Sequence, residues 1–293
     1  MTVPMTALAS RPIARAVSMA MYVACAASAA LIVGVLVLVV WYLVSIGWHS
    51  LNLAFFTQDP QPYGAWGYPG GMRNSLVGTV ILIGLACVVG IPLGLLGGIY
   101  LSEYRGGSWL TTPVRFTADV LAGVPSIVVG ILGYELLVVP LGHFNGWAGA
   151  LALAFIMVPI IMRTTEEMLR LVPNSYREAS IALGATRART ILRVVVPAAS
   201  ASLVTGIMLA IARVAGETAP LLFTALGSRF LTFDPNYPFP SLTKQIWDYA
   251  TGPYQEQKRQ AWAGILILLV LIFALNVGVR FTVRALSASR SRK

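Results

Sequence analysis

Two stretches of the chain carry no charged residue at all: positions 17–47, a run of 31, and positions 74–102, a run of 29. As helices rising about 1.5 Å per residue they would be about 46 Å and 43 Å long. Each exceeds the roughly 30 Å hydrocarbon thickness of a bilayer. A soluble fold has nowhere to put them. The composition of the whole 293-residue chain agrees, with 57% hydrophobic and 11% charged, where soluble domains run at about 45–50% and about 25%. Most of the surface must face lipid, and the expected fold class is an all-α integral membrane protein. The first run is longer than the roughly 7–15 apolar residues of a signal peptide, so it reads as a retained transmembrane helix.

Four further apolar segments follow. Residues 116–139, interrupted by Asp119, Pro125 and Glu135, read as a third span. Residues 147–162, containing Pro159, read as a fourth, 194–223 as a fifth and 261–279 as a sixth. In the second run Gly90, Gly94 and Gly98 recur every four residues, a smooth strip that lets helices approach closely in lipid. Two long loops separate spans. The first, 48–73, is rich in Pro, Gly and aromatics (Pro60, Pro62, Trp66, Tyr68, Pro69, Gly70, Gly71). The second, 224–260, carries Phe230, Phe233, Tyr237, Phe239, Trp247, Tyr249 and Tyr254. These aromatics suit either a protein-binding surface or anchors at the membrane interface.

Six spans put both ends of the chain on one side. The 21 Lys and Arg outnumber the 11 Asp and Glu, a net charge of +10. On the six-span topology 15 basic residues fall on the side of the termini and five on the other, with Arg213 inside a span. Basic residues accumulate on the cytoplasmic side, so both termini are expected there, in a multi-pass protein of the cell inner (plasma) membrane. The excess then needs no nucleic acid to explain it. The expected layout is a cytoplasmic tail over 1–16, a six-helix transmembrane domain over 17–283, and a basic cytoplasmic tail over 284–293. The loops near 48–73 and 224–260 are external.

Enzymatic chemistry finds little support. Cys25 and Cys87 lie in apolar runs and only His49 and His143 occur, so no zinc site is expected. The three lysines, Lys244, Lys258 and Lys293, are not followed by Ser or Thr, which removes a phosphate-binding P-loop. No catalytic residue, metal or cofactor is assigned to this chain.

The longest interior charged stretch, 163–197, reads RTTEEMLRLVPNSYREASIALGATRARTILRVVVP. Pro173 ends whatever helix precedes it. Ser175 and Glu178 have capping-box spacing, Gly184 suits a left-handed helix stop, and Thr186 can cap the next helix. Helix, glycine elbow and helix are expected on the cytoplasmic side, able to receive a push from a soluble partner.

Glu178-Ala179-Ser180 followed by Gly184, Ile191 and Pro197 resembles the EAA loop of ABC-importer permeases, centred here on about 164–197. Other blocks resemble the phosphate-specific branch of that family: Asn74 to Thr79, Tyr100 to Tyr104, and Leu121 to Ile127 with Gly130. So do Pro159 with Arg163 to Glu166, and Ala212 to Pro220. Six spans behind a short N-terminal tail are more similar to the PstA-type subunit than to its related permease. The resemblance implies a six-helix MetI-like architecture and docking of Glu178, Ala179 and Gly184 on an ATPase. It also implies partners: a second, PstC-type permease, two copies of a PstB-type ATPase that bind ATP and magnesium, and an external PstS-type phosphate-binding protein.

Charges at membrane depth are rare and usually face a cavity or a partner. Arg213 and Glu217, four apart in the fifth span, are expected on one helical face. Two readings stand: a mutual ion pair, or an arginine fork offered to phosphate oxygens and steadied by the carboxylate. With Thr218 they are the substrate-path candidates, and Pro220 is expected to weaken the helix beyond them. Asp119 is expected either to snorkel or to pair with Arg115, and Glu135 to be interfacial. Arg163, Glu166 and Glu167 form either a gate or loop network or a solvated helix end. A permease for another oxyanion, a secondary transporter without an ATPase, and a membrane scaffold for phosphate signalling remain alternatives.

Overall fold

The computed structural model describes residues 12–61, 70–104 and 109–290. Expectations resting on Arg11, Pro62, Trp66, Tyr68, Pro69, Arg105, Arg292 and Lys293 lie outside the described residues. Within them the chain forms helices α1 (Pro12–Gly47), α2 (Leu53–Thr57), α3 (Arg73–Glu103), α4 (Thr111–Gly123), α5 (Ser126–Leu141) and α6 (Gly146–Arg170). There follow α7 (Asn174–Ala182), α8 (Arg187–Ala198), α9 (Ser200–Ala215), α10 (Ala219–Thr224), α11 (Leu242–Thr251) and α12 (Gln255–Arg290).

Four helices, α1, α3, α6 and α12, are each long and apolar enough to cross a membrane. Two further spans arise only if α4 with α5, bent by 104°, and α8 with α9, bent by 74°, each count as one. The third and fifth spans, read from sequence as single helices, are therefore broken. Pro125 explains the first break: it disfavours helical geometry in the residue before it, and Val124 is extended, with ψ 129°. Two other prolines are absorbed differently. Pro140 and Pro197 each follow a π-helical turn, Tyr134–Val138 and Ile191–Val195. A proline collides with the carbonyl four residues back, and the wider turn relieves that contact while the chain keeps turning.

The central element is α6, which packs along α3 and touches α4, α5, α9 and α10. The glycine strip makes the α3 contact possible, as its spacing predicts. A Cβ on Gly94 would sit 2.6 Å from Ile161 Cβ, and one on Gly98 2.5 Å from Thr165 Cβ. The main core runs through this contact, with Leu82, Ala86, Leu153, Met157, Ile161, Ala210 and Leu221 all buried. The loop 224–260 is more ordered than a polar connector: it contains α11 and sends Phe239 into the core, fully buried. Tyr249 is buried too, so these two aromatics are packing residues. Phe230, Phe233, Tyr237, Trp247 and Tyr254 are exposed, as a surface role requires. By contrast, α1 touches mainly α12 and leaves most of its apolar residues exposed.

Candidate functional site

Two polar regions interrupt this apolar body, one in the middle of the chain's fifth apolar segment and one at the end where α3 and α6 finish. In the first, α9 stops at Ala215 with Gly216 at its cap. Residues 216–218 are not helical before α10 starts, with Pro220 in its first turn. Arg213 stands in the last turn of α9 and Glu217 in the break, and their side chains meet at 3.5 Å. They do not share a continuous helical face, as their spacing had implied. The i,i+4 distance survives because the chain keeps turning through Gly216, whose amide donates to the Arg213 carbonyl at 3.2 Å. The Glu217 carbonyl, freed from helical pairing, accepts the Thr243 hydroxyl at 3.0 Å. The Thr218 carbonyl accepts the amides of Leu221 and Leu222. The Arg213 side chain is 52% exposed and that of Glu217 14%. The guanidinium therefore has one carboxylate at the long edge of contact and is half-exposed.

At the second region the arginines converge. Glu166 lies on α6 with its side chain fully buried. Arg115 of α4 donates to its Oε1 through Nε at 3.0 Å and Nη2 at 2.6 Å. Arg170 donates to the same oxygen, and Arg163 approaches the other at 3.5 Å. Arg163 also pairs with Glu167 at 3.0 Å and Asp119 at 3.7 Å. The pairing expected between Asp119 and Arg115 does not form, because Arg115 turns to the buried carboxylate, where desolvation makes the attraction stronger. Ion pairs thus join Arg163 to Glu166 and Glu167, with Glu166 buried and the other two half-exposed. The helix α6 simply runs on to Arg170, beyond the end of the apolar run.

A neighbouring cluster ties the 164–197 segment to the end of α3. Arg177 of α7 places Nε and Nη2 on the two oxygens of Glu103, at 3.1 and 2.6 Å. Its remaining hydrogens satisfy the carbonyls of Val172 and Leu169 at 2.7 and 2.9 Å. Arg187 of α8 donates to the Glu103 carbonyl and lies over the Tyr104 ring, 4.5 Å from its centroid. Three chain segments are thereby clamped on one residue. Neither Glu103 nor Arg177 stood out as a site candidate, although both sit inside quoted motifs; the signal was a charged residue closing an apolar run.

The expected helix, elbow and helix is present as α7, Gly184 and α8. Gly184 has φ +81°, a region only glycine enters without cost. Thr186 caps α8 by accepting from the Arg189 amide at 3.4 Å. The capping box does not form. Pro173 occupies the cap position with no side-chain bond, which puts Ser175 inside the helix. Glu178 and Ala179 are exposed, and Tyr176, Ile181 and Leu183 expose 54%, 55% and 89% of their surface beside them. Among the described residues no cluster of His, Cys, Asp and Glu could hold a metal ion.

Residues 90–290 match the model of the binding-protein-dependent transport system inner membrane component. The chain is 45% identical over 244 residues to the phosphate transport system permease protein PstA of Yersinia pestis, covering 82% of each. It is 36% identical over 260 residues to PstA 1 of Mycobacterium tuberculosis (strain ATCC 25618 / H37Rv), covering 88% of this chain and 84% of that one. Its fold is similar to a chain of the methionine ABC transporter MetNI, solved in inward-facing conformations. That match has TM-score 0.61 and 20% identity, over 73% of this chain and 96% of the other.

Proposed function

Because the chain belongs to the family of binding-protein-dependent transport system inner membrane components, we propose that it is the PstA-type permease subunit of an ATP-driven inorganic phosphate importer. The architecture is that of an ABC-importer permease, a multi-pass helical membrane protein. The observation that carries the choice of cargo is the 45% identity to a phosphate permease across four-fifths of both chains. On this reading both termini and the arginine-rich end face the cytoplasm. A PstC-type permease completes the translocation path, two PstB-type ATPases bind ATP and magnesium, and a PstS-type protein delivers phosphate from outside.

Each part of the chain then has a mechanical task. Glu178, Ala179 and Gly184 shape the surface that docks on the ATPase, with exposed Tyr176, Ile181 and Leu183 supplying apolar contact area. Motion of α7 reaches α3 through the two-pronged bond of Arg177 to Glu103, and α4 and α6 move as one unit around Glu166. Phosphate passes the break at 216–218, where Arg213 attracts it with planar, paired donors. The nearby Glu217 and Thr218 keep that attraction weak enough for release. Co-expression with the three partners and reconstitution into liposomes tests the assignment: phosphate uptake that requires ATP is expected. A sulfate-selective complex, or uptake that persists without the ATPase, would overturn it.

A further inference from the structure

The motif at 74–79 takes no part in the path or the docking loop, yet four of its side-chain hydrogen bonds reach outward or brace the turn. Asn74 donates to the Ser228 carbonyl at 2.6 Å, and the Ser75 hydroxyl donates to Gln245 Oε1. Thr79 Oγ1 accepts the Leu242 amide at 2.7 Å and donates to the Ser75 carbonyl at 2.7 Å. The first turns of α3 thus fix the 226–229 loop and the start of α11 at the end of the molecule opposite the arginine-rich one. Between these parts lies a cavity of about 690 Å³, within the roughly 300–1,000 Å³ range of small-molecule sites.

Its lining is prepared for a guest. Ser241 and Gln245, 2% and 7% exposed, both line it; the buried Ser241 Oγ has no hydrogen-bond partner, while the Gln245 amide is engaged by the Tyr249 phenol. A buried polar group left unpaired is costly, so a ligand that pairs with Ser241 Oγ is favoured. Arg229 and Lys244 also line the cavity, against a single carboxylate, Asp248, which holds Lys244 Nζ at 2.5 Å. Asp59, next to the lining residue Pro60, is committed to Arg73 and the Leu231 amide. The site therefore offers an unpaired donor and a surplus positive charge. Burial raises the Tyr249 phenol above its ordinary range, so it adds no negative charge. Ser241 lines a second, small void together with Thr79, Thr243 and Glu217, and Thr243 is bonded to the Glu217 carbonyl. Ser241 thus links the cavity lining to Glu217 at the break beside Arg213.

We propose that this cavity is a receiving site for a tetrahedral oxyanion, held by Lys244 and Arg229 with Ser241 Oγ as a neutral donor, from which the anion moves to the break at 216–218. The identity of the anion as phosphate rests on the function proposed above. The chain contains three lysines, so amine-directed labelling read by mass spectrometry isolates the site. In the purified four-component complex without its binding protein, inorganic phosphate is expected to slow labelling of Lys244 saturably, by more than about threefold once phosphate exceeds its dissociation constant severalfold. Lys258, which does not line the cavity, serves as internal control, and chloride at equal ionic strength gives no protection. Ser241→Ala and Arg229→Gln should each weaken the protection. Unchanged Lys244 labelling, equal slowing at Lys258, or full protection in both variants overturns the receiving site. Uptake measured on the same complex after the binding protein is added back separates the two ideas. Protection without ATP-driven uptake supports the cavity and counts against the permease reading, and uptake without protection does the reverse.

Discussion

Glu166 and Arg213 are both ionisable groups set into helices of an apolar bundle, and their surroundings are opposite. Glu166 has no exposed side-chain surface and three arginines around it. Arg213 is half-exposed, with one carboxylate at 3.5 Å, in a place where the helix has ended. A buried charge whose bonds are all made belongs to the scaffold, since any movement away from its partners exposes an unpaired ion to low dielectric. A half-solvated cation with a single weak partner can exchange that partner for a ligand at little cost. The same residue types thus do different work according to how completely they are paired.

The largest expected effect follows from removing the buried member. Glu166→Ala strands Arg115 and Arg170 beside one another without their shared acceptor, and breaking a buried pair in this way costs about 3–5 kcal/mol. Loss of assembled complex and a clearly lower melting temperature in detergent are expected, with Glu166→Gln milder because it still accepts hydrogen bonds. Normal stability in Glu166→Ala would mean that the cluster is solvated and the contrast with Arg213 is false.

Arg213→Ala is expected to do the reverse, leaving yield and melting temperature unchanged while uptake falls. A hydrogen bond to a charged group is worth about 1.5–3 kcal/mol, which corresponds to a drop of about 10- to 100-fold at about 1.4 kcal/mol per decade. Arg213→Lys keeps the charge and loses the planar fork, so partial uptake is expected. Full uptake in both variants would leave the Arg213–Glu217 contact as a structural pair only.

Why Arg213 was readable in the sequence, while Glu166 was named without the distant partner Arg115, has a physical basis. The long uncharged runs, the glycine strip and the isolation of Arg213 in an apolar segment are local patterns, and lipid imposes them residue by residue. Gly184 and Thr186 were legible for the same reason: a left-handed turn and a helix cap are decided within four residues. The Glu166 cluster depends on Arg115, 51 positions earlier, and Arg177 finds Glu103 across 74 positions, which no local pattern encodes. The breaks lay in between. Pro125, Gly216 and Pro220 mark weak points, but whether a proline kinks, breaks or is absorbed by a π-turn depends on what packs beside it. Ser175 and Glu178 had capping-box spacing, yet Pro173 starts the helix two residues before Ser175, so the serine is spent inside the first turn.

A third test moves the contrast to the elbow between α7 and α8. A Cβ at Gly184 would meet nothing within 4 Å, so Gly184→Ala carries no steric clash and only the cost of a left-handed backbone, about 1–2 kcal/mol. Because the elbow is exposed and remote from the core, the membrane body should retain its melting temperature. Co-purification of the ATPase subunit should fall severalfold. Retained ATPase binding would place the docking surface elsewhere and leave the elbow as a simple connector.

The smallest effect expected is at Thr186. Its hydroxyl accepts the Arg189 amide at 3.4 Å, a long bond on an exposed turn, so Thr186→Ala should cost about 0.5 kcal/mol, the low end for a lost helix cap. Hydrogen exchange confined to the first turn of α8 would register it as a two- to threefold faster rate, about what that energy implies. The bond between Ser180 Oγ and Thr190 Oγ1 at 2.9 Å also joins α7 to α8, and it is untouched by this change. If exchange accelerates across both helices instead of one turn, the two behave as a single cooperative unit held by the cap, and a push on α7 is delivered to α8 whole.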